Sequence, residues 1–214
     1  SRLEAKPNEF IVPQLYLFVH YHLYHAVACL LRTHLSECLG SVRKAIDAGL
    51  SAYKIILDPG SAEQYVKRDR VFLHIKREVE EAIKRDPKQF PLAAGFLLEM
   101  HEKCSQIGSH ADVGSFIHRM SIKKPTVEQP GEMRVYYFQA PQEKAEYRLY
   151  FLASLRVFLR LFEIFKIYFD RELKIIDARW EETIKKLGPV LEKKSIQCRE
   201  ELRRTGGSGE WPLA

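Results

Sequence analysis

At 214 residues, 46% hydrophobic and 29% charged, the chain has the apolar material for one domain with a sizeable core and an ordinary solvated surface. A net charge of +6 suits an acidic partner such as RNA, but Lys and Arg alternate with Glu and Asp, as in KREVEEAIKRD, the pattern of a solvated helix face. Four scattered cysteines (Cys29, Cys38, Cys104, Cys198) with no CxxC pair exclude a zinc finger and a disulfide framework and fit a reducing cytoplasm.

Residues 1–9 are polar and read as a frayed lead-in without a signal peptide. The first helix is predicted over 13–35, where Leu17, Tyr21, Tyr24, Ala28 and Leu31 recur at spacings of three and four. A second, 36–57, presents Val42, Ala45, Ile46, Gly49, Leu50 and Tyr53 on one face and is stopped by Asp58-Pro59-Gly60. Ser61 is a candidate N-cap for a third helix reaching to Pro87, and a fourth runs over about 91–106. Glycines and prolines then recur. Residues 115–122 and 133–139, rich in β-branched and aromatic side chains, predict a small two-stranded hairpin within an insertion over about 115–139.

Residues 147–176 predict one uninterrupted helix with eight aromatic side chains and no Gly or Pro. Its charges, among them Arg156, Arg160 and Glu163, form a narrow stripe on an otherwise apolar cylinder, so neighbours should bury it from several sides. Those charges also exclude a membrane span, in which Arg or Lys costs roughly 2.5–3.5 kcal/mol each. The helix is expected to continue until Gly188-Pro189 breaks it. An amphipathic C-terminal extension over about 178–204 follows, then a flexible tail over 205–214. The expected fold is mainly α: a single-domain multi-helix bundle, 1–204, around the long aromatic helix, with a small β-hairpin insertion.

Four groups of residues carry chemistry. In HYHLYH, His22, His25 and Cys29 share a helix face at metal-ligand spacing, but no HExxH accompanies them and the flanking tyrosines favour packing, so no metal is expected. Arg43 and Asp47 stand at i and i+4 in an apolar helix; they form either an intrahelical ion pair or a mount that aims a guanidinium at a phosphate or carboxylate. Arg68 and His74 combine an anion-holding fork with a group that titrates near neutral pH. Ser109 and His110 lie on a glycine-flanked turn, where a histidine can line a cleft with Tyr53. No phosphate loop, GxGxxG or GxSxG is present, which excludes P-loop and Rossmann nucleotide enzymes, and no cofactor is expected.

LGSVRKAIDAGLSAYKIILDPGSAEQYVKR, the turn with Ser109 and His110 and the long aromatic helix together resemble a divergent bacterial branch of the HEPN (higher eukaryote and prokaryote nucleotide-binding) superfamily, over about two-thirds of the chain. The resemblance implies a bundle of four or more helices, often a homodimer. In active members it implies metal-independent ribonuclease activity through an Arg-x(4 to 6)-His motif, which Arg68 and His74 match in spacing, although here the pair falls on the third predicted helix rather than the last core helix. The expected function is a non-catalytic binding or interaction module, taking RNA or a protein partner through Arg43, Asp47, Tyr53, Ser109 and His110. The alternative is an endoribonuclease or toxin-like effector using Arg68 and His74.

Overall fold

The computed structural model describes residues 7–67, 74–85, 92–108, 120–123, 126–127, 130–135, 144–174 and 178–205. Among them are seven α-helices: α1 (Pro7–Leu31), α2 (Leu35–Leu57), α3 (Ser61–Val66), α4 (Ile75–Arg85), α5 (Leu92–Gly108), α6 (Lys144–Tyr168) and α7 (Ala178–Arg204). The protein is a mainly α bundle. Two four-residue strands, β1 (Met120–Lys123) and β2 (Glu132–Val135), pair antiparallel with Met120 opposite Val135. No helix among the described residues is long and apolar enough to cross a membrane.

Helix α1 starts at Pro7, earlier than the sequence pattern predicts, and runs through Pro13. An interior proline forfeits one backbone bond and crowds the preceding turn. Burial of Ile11, Val12, Leu15 and Val19 on both sides of it offsets that loss. The helix ends in a Schellman turn. Thr33 N–H donates to the Leu30 carbonyl (2.9 Å) and His34 N–H to that of Cys29 (2.8 Å), with Thr33 in the left-handed region at φ 64°.

Helix α2 packs against α1, α3, α4, α5 and α6, so it shares the centre of the bundle with the aromatic helix. Its inward face holds Leu39, Val42, Ile46, Leu50 and Tyr53. At Gly49 it lies so close to α6 that a Cβ would overlap Leu161 Cδ2. Gly60 N–H donates to Asp58 Oδ1 (3.1 Å) and Ser61 Oγ to the Asp58 carbonyl (2.7 Å), closing the α2–α3 turn. The third helix expected over 61–86 is replaced by α3 and α4.

The aromatic helix departs from expectation at its C-terminal end. Helix α6 gives way to a π-helical turn, Phe169–Leu173, and then to Lys174 at φ 49°. Helix α7 returns antiparallel, as its ion pairs show. Arg148 meets Glu201 (3.1 Å), Arg156 meets Glu192 (3.5 Å), and Lys166 meets Glu181. The polar stripe is therefore partly covered by α7, with Arg160 held by Glu163 (2.6 Å) and Arg156 over the Phe96 ring. Gly188-Pro189 does not end a helix: α7 passes through it. Only Leu191, Ser195, Cys198 and Leu202 of α7 are buried, so the carbonyl left without its donor at Pro189 lies on a hydrated helix.

Candidate anion-binding cleft

The amphipathic period of α2 turns Arg43, Lys44 and Asp47 away from the core, while Val42, Ala45 and Ile46 go inward. Across from them α5 carries an apolar stripe of Ala94, Leu97, Leu98 and Cys104, interrupted by the buried His101. His101 Nε2 lies 2.8 Å from Asp47 Oδ1 and 3.4 Å from Arg43 Nε. A ring nitrogen cannot donate to one group and accept from the other at once. The shorter, charge-assisted contact decides the tautomer: Nε2–H donates to the Asp47 carboxylate, and Arg43 lies beside the ring. His101 Nδ1 is then a buried acceptor without a partner among the described residues.

Arg43 and Asp47 thus do not pair with each other along α2; each reaches His101 instead. The terminal nitrogens of the Arg43 guanidinium form no hydrogen bond or ion pair with a described residue, and neither does the Lys44 ammonium. Both side chains line a cleft of about 540 Å³ together with His25, Ser41, Glu37 and Asp47. His25 Nδ1 is bound to Ser41 Oγ at 2.7 Å, which fixes the far wall to α2. A second cleft of about 410 Å³ adjoins it, sharing Lys44 and Asp47 and walled by Ile11, Leu15 and Phe18 of α1.

The sequence singled out Arg43 and Asp47, and the fold brings them together with His101, which it did not single out. Its signal was present: one histidine in a helical stripe of apolar residues, where a buried polar group requires a partner. Tyr53 stands apart from these residues. Its place on the inward face, in step with Ile46 and Leu50, buries it in the core, and it lines neither cleft. His74 is exposed just before α4, whereas Arg68, Ser109 and His110 lie outside the described residues. Of the three residues at metal-ligand spacing, His25 and Cys29 adjoin and His22 is packed elsewhere. His22 is buried against the Phe18 and Tyr21 rings, and His25 faces Ser41 with Cys29 Sγ 3.7 Å away. All four cysteines are free and buried. Burial pushes the Cys38 and Cys104 thiols up to about 12, so neither supplies a thiolate nucleophile near neutral pH. No protein-family profile, curated protein or solved structure matches the chain.

Proposed function

We propose that the chain is a non-catalytic, HEPN-like binding module whose α1–α2 cleft takes an oxyanion, the group shared by carboxylates, inorganic phosphate and the RNA backbone. The observation that carries this reading is the Arg43 guanidinium, set beside a His101–Asp47 pair, its terminal nitrogens without a hydrogen-bond partner among the described residues, in a cleft that also holds Lys44. A planar fork and an adjacent ammonium suit a bidentate oxyanion plus a second contact. His101 serves as a positioning residue. Its Nε2 is committed to Asp47 and its Nδ1 is buried, so neither nitrogen is placed to move a substrate proton.

Isothermal titration of inorganic phosphate, succinate and a short single-stranded RNA into the wild type and an Arg43→Ala/Lys44→Ala variant tests this. Loss of charge-assisted bonds should weaken binding by about tenfold or more. Wild type that binds none of the three, or a variant that binds them equally well, contradicts the reading. RNA cleavage abolished by His74→Ala would transfer the function to the endoribonuclease alternative through Arg68 and His74.

A further inference from the structure

The two clefts meet at Lys44 and Asp47, which line both. Arg43 belongs to the first cleft only, and Ile11, Leu15 and Phe18 of α1 to the second only. Together they make one groove, with a cationic end, a middle of mixed charge and an apolar end. At the apolar end Ile11 and Leu15 are buried, while Phe18 is 45% exposed.

Asp47 is the feature that a simple anion does not explain. Its Oδ1 accepts from His101 Nε2 at 2.8 Å, yet the side chain is 56% exposed. Its Oδ2 forms no hydrogen bond or ion pair with a described residue. A carboxylate in the middle of the groove repels a bare oxyanion and attracts a cation. Arg43 Nε and Asp47 Oδ1 flank the same ring nitrogen, at 3.4 and 2.8 Å, without bonding to each other. A ligand whose own anion and cation stand a few ångströms apart answers both charges at once.

We infer that the groove takes a free α-amino acid with an apolar side chain of the size of leucine or phenylalanine, an inference that rests on the oxyanion reading above. The α-carboxylate meets the Arg43 guanidinium and the Lys44 ammonium, and the α-ammonium meets Asp47 Oδ2. The side chain passes into the second cleft against Ile11, Leu15 and Phe18. That cleft, about 410 Å³, falls in the range of small-molecule sites. The order of groups along the groove is thus the order of groups on the ligand. An apolar acid without an ammonium leaves its carboxylate facing that of Asp47, and an amine without a carboxylate leaves Arg43 and Lys44 unanswered. Glu37, the other carboxylate of the first cleft, stands about 9 Å back along α2 from Arg43, which leaves Asp47 as the seat of the ammonium.

Isothermal titration of the full chain with phenylalanine, glycine, 3-phenylpropionate, phenylalaninamide and inorganic phosphate tests the inference. Phenylalanine should bind at least about tenfold more tightly than glycine, which lacks the apolar group. It should exceed 3-phenylpropionate and phenylalaninamide, each lacking one charge, by about tenfold as well. Phe18→Ala should shrink the preference over glycine, and Asp47→Asn should abolish the preference over 3-phenylpropionate. Both readouts are ratios of affinities, so partial unfolding of a variant does not imitate them. Phosphate that binds while phenylalanine does no better than glycine or 3-phenylpropionate overturns the amino-acid inference and leaves the oxyanion reading standing. A protein that binds none of the five removes both. Phenylalaninamide as tight as phenylalanine, the result that the amino terminus of a peptide would give, overturns the inference, and so do preferences that survive in both variants.

Discussion

Thr33 holds the α1–α2 turn at φ 64°, a conformation that costs a side-chain-bearing residue about 1–2 kcal/mol and glycine almost nothing. Thr33→Gly should therefore raise stability by about 1 kcal/mol, after allowing for glycine's looser unfolded chain, and urea denaturation would show the gain as a higher midpoint at unchanged slope. The opposite is expected at Gly49. A side chain there meets Leu161, which is fully buried and cannot swing aside. Gly49→Val should cost on the order of 1–3 kcal/mol as overpacking, and Leu161→Ala in the same chain should recover part of the loss. If the two substitutions proved additive in a double-mutant cycle, the close approach of α2 and α6 would not be the cause. These two residues also show the limits of reading local signals. The sequence offered a glycine in mid-helix, legible as a small residue on an apolar face. It offered no glycine at the turn, so the boundary predicted at 35–36 falls beyond the observed 32–34. A left-handed threonine leaves no mark in the residue pattern.

Helix α1 carries two histidines whose burial makes stability depend on pH. Burial lowers the pKa of His20 and His22 below 6.5, and Lys44 and His25 push His22 further down. The folded state thus favours neutral imidazole. As pH falls through about 6.5 the unfolded chain binds protons that the fold resists, so stability is lost from there downward until the native histidines also protonate. Replacing His22 with Phe should flatten this part of a thermal-denaturation pH profile; an unchanged profile would assign the effect elsewhere. The helices themselves were largely legible. The apolar period of α2, its Asp-Pro-Gly stop and the aromatic content of α6 are all sequence signals, and they place the mainly α bundle. What the pattern could not give was how α6 ends. The long aromatic helix breaks at Lys174, without Gly or Pro, because α7 must return to set Glu181, Glu192 and Glu201 against Lys166, Arg156 and Arg148. Conversely, the proline taken for a breaker sits in α7 where water can satisfy the freed carbonyl. Tertiary pairing overrode local punctuation at both places.

At the scale of the whole molecule, Lys and Arg side chains along α4, α6 and α7 are paired with neighbouring carboxylates, so the net +6 is not gathered on those helices and overall basicity points only loosely to a partner. The cations that count are Arg43 and Lys44, which line the cleft without an ion pair among the described residues. Arg43 and Asp47 were visible from their spacing, whereas His101 entered only when α5 was laid across α2, a contact fifty-eight residues apart in sequence. Side-chain nitrogen NMR of the arginine and histidine groups during titration with inorganic phosphate would read oxyanion binding at the cleft itself. The Arg43 guanidinium signals should move with phosphate, the His101 ring should keep the Nε2–H tautomer throughout, and Asp47→Asn should weaken the Arg43 response by releasing the ring. Arg43 signals that stay fixed while phosphate shifts other arginines, or a His101 ring that is Nδ1-protonated, would contradict this assignment.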